Sequence, residues 1–381
     1  MLFKKKKVLI LTDDMPWGHR SIARAIFGFL KENQSKFRVE IAEIKAETAF
    51  MTDMYVFAYK YFPKTNRVMH KISGSRLGKD VLREISILNL RNLKNRIEKI
   101  NPDLIISTYF LHSHSLAYWR SKENKKFKLW EVVPDPWTIN PMSFVKEADL
   151  NIVYDENSVK EGIKWGLKRE QTMMTGWWTR GEMYEKFDRK KTREKLGFTD
   201  DRPVIFVGGG SLGTNSLSKL LPMLLMTKQK LGLVLNTGVD RLSFNLVDQF
   251  NRMIKKMKKN DLVLIKHFGW IDNLAEILSA CDMVFGKAGP NFLFDCVAAR
   301  KPFVAMTHIG GQEDGNIELI LKKKLGWVKE KNVDLANFLF SYIKNPRVYE
   351  KKFLGNIMKE RDLNKKSLPM ILEKIEDEFK K

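Results

Sequence analysis

FGKAGPNFLFDCVAARKPFVAMTHIGGQEDGN, residues Phe285 to Asn316, is the stretch from which the fold of this chain is read. An apolar run from Cys281 to Phe285, interrupted only by Asp282, stops at Gly286 and Gly289, and Pro290 stands where a helix takes its first residue. Proline is tolerated there because its missing N–H is one that the first turn leaves unpaired. A helix over Pro290 to Arg300 is therefore expected, its amino end carrying free N–H groups and a partial positive charge, an arrangement that binds phosphate. Asp295 lies about a turn and a half further on, where a carboxylate can accept two hydrogen bonds from a vicinal diol such as a ribose. A second strand, Phe303 to Met306, follows Pro302 and leads into a loop, His308 to Gly315, that holds Gln312 and Glu313, after which Asn316 opens another helix. Phosphate, diol and hydroxyl readers in that order suit a sugar nucleotide. A plain βαβ unit with a polar surface loop fits the same letters, and the residues alone leave both readings open.

Working outward, 381 residues allow two domains of ordinary size, and 44% hydrophobic with 30% charged residues describes a globular chain. A formal charge of +23 calls for an anionic partner: a membrane surface, phosphorylated substrates or nucleic acid. Zinc-finger spacing, RNP-like aromatic motifs and a basic zipper are all missing, which sets nucleic acid aside. Two cysteines, Cys281 and Cys296, imply no disulfide framework and suit a reducing compartment. Lys4 to Lys7 followed by Val8 to Leu11 imitates a signal peptide, but the apolar run is too short and ends in Asp13 and Asp14. With no run of eighteen apolar residues, a membrane-crossing helix is not expected, and the chain reads as cytoplasmic and peripherally bound to a membrane.

The first half opens with a buried strand, Val8 to Thr12, then the loop DDMPWGHRS and a helix with apolar spacing from Ile22 to Leu30. Doubly wound folds place their chemistry in such a loop, and Gly18 and His19 stand in it. His19 reads as a catalytic residue or as a helix-start residue with a local hydrogen bond. Phe37 to Ile44 is a second strand. Between Ala49 and Gly74, Phe50, Tyr55, Phe57, Tyr59, Tyr61 and Phe62 are interleaved with lysines and arginines, a composition suited to the lipid headgroup boundary or to an aromatic helix on the core. A helix over Val81 to Ile100 and strands at Leu104 to Thr108 and Leu129 to Val133 follow. His112 and His114, two apart and without a carboxylate or cysteine cluster, do not make a metal site. Asp135, between Pro134 and Pro136, either orients His19 or shapes the turn.

Residues 1–178 thus read as an acceptor-side, membrane-docking domain, 179–202 as a linker, 203–350 as a donor domain and 351–381 as a helix returning to the first. In the donor domain the strand Val204 to Val207 runs into GGGSLG, Gly208 to Gly213, which satisfies the dinucleotide fingerprint G-x-G-x-x-G. That supports a competing NAD(P)-dependent oxidoreductase. Against it, the next strand, Leu233 to Leu235, ends in Asn236 where an acidic residue is expected, and the motif lies mid-chain. Leu262 to Ile265 leads to His267, Phe268, Gly269, Trp270 and Ile271, with Asp272 expected to cap the following helix.

GKAGPNFLFD followed by GGQEDGN resembles the nucleotide-sugar signature of GT-B glycosyltransferases. The nearest branch holds the monogalactosyldiacylglycerol synthases and diacylglycerol glucosyltransferases, with the MurG-type N-acetylglucosaminyltransferases more distant. The likeness runs in order from the first strand to about Trp327. It implies an α/β fold with two Rossmann-like domains facing across a cleft, and inverting transfer of a hexose from a UDP-sugar to a lipid hydroxyl such as that of diacylglycerol. In the family a Gly-His pair, here Gly18 and His19, ends the first loop, and the histidine is the base. The likeness further implies Gly209, Gly210, Ser211, Gly289 and Pro290 at the diphosphate, Trp270 and Ile271 at the uracil, and Asp295 on the ribose. Gln312, Glu313 and Asn316 fall on the hexose, with Gly18, His112 and Asp135 near the acceptor. Relatives often carry Glu where Asp295 stands, and further glycines where Met15, Pro16 and Trp17 stand. Cofactors and metal are not implied. A MurG-like transferase or a sugar-nucleotide epimerase remains the alternative on the same fold.

Overall fold

The structure, a computed structural model, describes residues 5–15, 18–33, 36–45, 65–75, 81, 84, 90–208 and 216–380. The chain divides into two compact units, Met1–Arg180 with Ile309–Gly315 and Leu363–Lys381, and Gly181–His308 with Asn316–Asp362.

In the first unit the elements run β1 (Lys6–Thr12), α1 (Gly18–Asn33), β2 (Phe37–Glu43), α2 (Thr65–Ser73), α3 (Leu90–Ile100), β3 (Leu104–Ser107), α4 (Phe110–Glu123), β4 (Lys128–Val132), β5 (Leu150–Val153), α5 (Glu156–Lys164) and β6 (Thr172–Met174). The strands form one parallel sheet in the order β2-β1-β3-β4-β5-β6. Val8 to Leu11 and Leu104 to Ile106 are buried because a parallel sheet is covered on both faces, so its central strands carry unbroken apolar runs. Helix α1 packs Ile22, Ala23, Ile26 and Leu30 inward at helical spacing. Strand order reverses between β1 and β3, the place where doubly wound sheets open a crevice at their carboxyl ends.

The second unit runs α6 (Arg189–Lys195), β7 (Val204–Gly208), α7 (Ser216–Leu224), β8 (Leu231–Asn236), α8 (Arg241–Lys256), β9 (Val263–Phe268), α9 (Leu274–Ala280), β10 (Met283–Lys287), α10 (Pro290–Ala298), β11 (Phe303–Thr307), α11 (Asp314–Lys322), β12 (Gly326–Val328), α12 (Asn332–Lys344), α13 (Pro346–Lys352) and α14 (Leu354–Asn364). Its parallel sheet has the order β12-β11-β10-β7-β8-β9, the dinucleotide-fold order, with its reversal between β7 and β10. Both sheets are α/β and doubly wound, as the sequence leads one to expect.

Two boundaries differ from the sequence reading. The stretch expected as a linker, 179–202, carries α6, capped by Asp188 and tied into the second unit. Arg193 Nη2 lies 2.6 Å from the buried Asp282 carboxylate, Arg189 contacts its other oxygen, and Val204 N donates to it at 2.7 Å. The carboxyl-terminal helix expected over 351–381 is broken, with α15 (Ser367–Lys380) following α14, and only Leu363–Lys381 groups with the first unit. At the break Asn364 Oδ1 accepts from Trp177 N (2.9 Å) and Ser367 Oγ donates to Trp177 O (2.8 Å), so the polar residues that end one helix and start the next fasten the tail. One buried acid escaped the sequence reading. Glu131 of β4 receives the Ser113 hydroxyl, and burial pushes its carboxyl well above the usual range.

Candidate functional site

In the first unit the chemistry gathers at the β1/β3 reversal. Strand β1 is followed by Asp13, which is buried and whose Oδ1 accepts from Met15 N at 2.8 Å, ahead of Gly18 and His19 at the start of α1. Thr108, just past β3, donates its hydroxyl to the His19 carbonyl (3.0 Å) and lies 2.9 Å from Thr12 Oγ1, which pins the helix start to the strand ends. The His19 ring lies 5.3 Å from the Tyr109 ring, and Tyr109 in turn 5.0 Å from His112, edge-on. His112 Nε2 donates to Ile44 O at 3.0 Å. Of these residues the sequence reading missed Tyr109. Its signal was only a position, two residues beyond a strand that borders the reversal.

Burial sets the protonation of this cluster. It lowers His19 to about 4, against a smaller opposing effect of the backbone contact with Thr108. His112 also falls to about 4 through burial, with the Ile44 bond raising it and the neighbouring His19 lowering it. Burial, and then the charge of Asp13, push the Tyr109 phenol up. The imidazole of His19 is therefore neutral and able to take a proton at neutral pH. It is a weaker base than the ordinary histidine value near 6.5 implied, so proton uptake has to coincide with bond formation by the hydroxyl that gives it up.

Asp135 follows β4 and its neighbours are residues of the Ile309–Gly315 loop. Burial first, and then the nearby Glu313, raise its carboxyl to about 7 against an opposing hydrogen bond from the Gln312 side chain. Glu313 is buried, accepts from Ile309 N through Oε2 (2.7 Å) and donates its own N–H to Ile309 O (2.8 Å), so the loop closes on itself. Asp314 takes an ion pair from Arg67 at 3.1 Å. Gly315 runs hard against the turn after Asp135: a Cβ there would meet Trp137 C at 2.5 Å and Thr138 N at 2.7 Å. The structure thus brings Asp135, Gln312 and Glu313 together in one unit, and Gly18, His19 and His112 together at the neighbouring strand ends.

In the second unit β7 and β10 meet at the reversal. A Cβ on Gly286 would come within 2.8 Å of Gly208 O and 2.9 Å of Phe292, so the strand ends approach more closely than a side chain allows. Gly209, Gly210 and Ser211 lie outside the described residues. Gly289, in an extended conformation, caps α10, and Pro290 takes the first helical position as expected. The first turn of α10 holds no acidic residue, so its positive end is not neutralised from within. Asn316 braces this helix start: its side-chain amide donates to Ala288 O at 2.8 Å, leaving Oδ1 buried and without a partner among the described residues. Asp295 is half-buried on α10. Trp270 is 65% exposed and donates to Asp272 at 2.9 Å. Asp272 was expected to cap α9, but Asn273 stands at the cap, and the carboxylate holds the indole. At the end of β8, Asn236 Oδ1 accepts from Gly238 N (2.9 Å), so an amide that closes its own turn stands where a nicotinamide-dinucleotide fold would carry a ribose-binding acid. Among the described residues no three His, Cys, Asp or Glu side chains are placed to hold a metal ion, and no helix is long and apolar enough to cross a membrane. Of the aromatic stretch, residues 49–64 lie outside the described residues.

Comparison with known proteins divides the chain between residues 177 and 204. Residues 19–177 match the family model described as monogalactosyldiacylglycerol (MGDG) synthase, and residues 204–375 match the glycosyltransferase family 28 C-terminal domain. A probable chloroplastic monogalactosyldiacylglycerol synthase of Glycine max is 26% identical over 369 residues, covering 91% of this chain and 67% of that one. The chain spans about two thirds of the length of the plant relatives it matches first. Among solved structures, MurG of Acinetobacter baumannii superposes with a TM-score of 0.62 at 13% identity, covering 97% of this chain and 99% of that one. Anabaena HepE in complex with UDP and glucose gives 0.58 at 17%, covering 98% and 99%.

Proposed function

This chain belongs to the GT-B glycosyltransferases, on the side of the monogalactosyldiacylglycerol synthases, and from that premise we propose that it transfers a hexose from a UDP-sugar to the free hydroxyl of a diacylglycerol-type lipid. The observation that carries the reading is the match of residues 19–177 to a lipid-directed synthase model, starting at His19 itself, whose imidazole is neutral at the β1/β3 reversal. UDP-galactose is the donor favoured by the plant relatives' name.

In the proposed step His19 takes the proton of the lipid hydroxyl as its oxygen bonds to the anomeric carbon from the face opposite the leaving group. The bond from that carbon to the diphosphate oxygen breaks, UDP leaves with the electron pair, and the configuration inverts. The leaving diphosphate gains negative charge, which the amino end of α10 at Gly289 and Pro290, together with the amides of Gly209, Gly210 and Ser211, can stabilise without a metal. Asp295 holds the ribose hydroxyls, Trp270 and Ile271 border the uracil, Gln312 and Glu313 read the hexose, and Asn316 keeps the α10 end in place. Gly18, His112 and Asp135 line the acceptor side. A charge of +23 supports peripheral attachment to an anionic surface at the cytoplasmic membrane face.

Radiolabelled UDP-galactose, UDP-glucose and UDP-N-acetylglucosamine incubated with diacylglycerol vesicles test the reading. A labelled glycolipid from one donor, lost in His19→Ala while UDP still raises the melting temperature, is expected. A labelled product confined to a soluble acceptor would replace the lipid reading, and stabilisation by NADPH but not UDP would replace the glycosyltransferase chemistry.

A further inference from the structure

Helix α8 buries Val247, Phe250 and Ile254 in the core of the second unit. Leu242, Leu246, Met253 and Met257 succeed one another at intervals of four, seven and four residues, which keeps them in one line along the helix beside that inward face. The line is open to solvent, the four side chains being 82, 42, 38 and 48% exposed. Single exposed apolar residues are ordinary, but an aligned row of them marks a surface with a partner. At the carboxyl end of the row Lys259 reaches the Leu225 carbonyl, next in the chain to the 70% exposed Met226.

The surrounding charge says what that partner is. Between Asp240 and Lys259 stand six basic residues and two acidic ones, and Arg252 already pairs with Asp248 at 2.6 Å. Beyond that pair Lys256 lies beside the row and Lys258 follows its last residue, with no acid between Arg252 and Lys259. A second copy of this chain would set one basic face against another. An apolar line edged with lysines is the pattern of helices that lie in a membrane interface, where the lysine stems follow the apolar residues down and the ammonium groups stay with the phosphates.

We propose that this face of α8 docks on an anionic phospholipid surface, giving the second unit a membrane contact of its own. The inference rests on the peripheral attachment proposed above and adds a second contact to the one that the sequence reading gives residues 1–178. It makes membrane charge a condition for how the donor-binding unit is held, apart from how the lipid acceptor is reached.

Cys281 and Cys296 are both buried. A polarity-sensitive maleimide fluorophore on Leu246→Cys in the full chain therefore reads this face alone. The same label on Ile72→Cys, at a position 54% exposed in the first unit, reads the other contact. Vesicles of mixed phosphatidylglycerol and phosphatidylcholine are the probe, with pure phosphatidylcholine as control. Blue shifts at both positions on the anionic vesicles alone are expected. Reversing Lys256 and Lys258 to Glu is expected to weaken vesicle binding by about tenfold, and so is Leu242→Asp with Leu246→Asp, each with the UDP-induced melting shift intact. A shift at position 72 but none at 246, with vesicle binding unchanged in the helix variants, would overturn the inference and spare the membrane reading. Silence at both positions would remove both. A shift at 246 that needs no vesicles and accompanies a doubling of mass would assign the face to a second copy and overturn the inference.

Discussion

Asp135→Asn converts the environment of one carboxyl into a measurable slope of stability with pH. The group titrates at about 7 in the folded chain against 3.8 in its ordinary state, chiefly because of burial and then because of Glu313. A folded-state value raised above the unfolded one means that stability is fully present below 3.8 and is lost as pH rises through about 7, because the unfolded chain releases the proton first. At about 1.4 kcal/mol per pH unit the ceiling is roughly 4 kcal/mol, and solvent reaching the half-buried carboxyl brings the expectation to about 2 kcal/mol. Asparagine keeps the shape and a neutral polar group but cannot titrate. Urea denaturation of both proteins, followed by tryptophan fluorescence from about pH 4 to about 8, isolates the slope, because seven of the nine tryptophans precede Arg180 and report mainly on the first unit. The variant is expected to gain on the parent by about 2 kcal/mol across that range, with the gain levelling off above pH 7. Glu313→Gln, which removes the second cause, is expected to flatten part of the slope. Curves that stay parallel would refute the claim that this carboxyl is held protonated beside Gln312 and Glu313. The donor KM provides a second readout: above pH 7 an ionised Asp135 repels Glu313 in the loop proposed to read the hexose, so KM rises in the parent and not in the variant.

The remaining predictions concern how the two units hold their parts in place. Gly315→Ala puts a methyl group into the backbone of Trp137 and Thr138, a clash of about 1 to 3 kcal/mol that the loop relieves by moving; the donor KM is expected to rise about tenfold with little change in melting temperature, and an unchanged KM would detach this loop from the donor. Arg193→Ala removes one partner of the buried Asp282 carboxylate while Arg189 and Val204 N remain, so the second unit is expected to lose about 2 to 3 kcal/mol, read as urea-induced loss of UDP binding at lower denaturant. A midpoint equal to that of the parent would show that α6 adds nothing to the fold.

How much of this was legible in the letters depends on distance along the chain. Central strands such as Val8 to Leu11 and Val204 to Val207 announce themselves, because a parallel strand covered on both faces must be apolar throughout and is punctuated by glycine or proline. The short strands β5, β6 and β12 do not, being three or four residues long with Asn, Thr or Gly in them, too short for any periodicity to register. The helix start at Pro290 was readable because its cause is local: a proline that needs no N–H and a glycine before it. The partners of Asp135 were not, since Gln312 and Glu313 are brought to it by a loop from far along the sequence.

The same distinction separates a residue's place from its chemistry. A Gly-His pair after the first strand locates His19, and the fold indeed brings it to the strand reversal, but whether the imidazole is a strong or a weak base depends on what surrounds it. Here Tyr109, at the start of α4, packs against the ring and is itself met edge-on by His112, and burial lowers the imidazole. A histidine lowered to about 4 cannot accumulate the protonated form at neutral pH, so it serves only a reaction in which the proton arrives as the hydroxyl oxygen commits to its new bond. The pH dependence follows from this: kcat/KM is expected to hold steady as pH falls from about 7 to about 5, where an ordinary histidine base with a pKa near 6.5 would already have lost most of its activity. A rate falling through pH 6.5 would mean that His19 is solvated in the working enzyme, and that the packing of Tyr109 against it gives way when the acceptor binds.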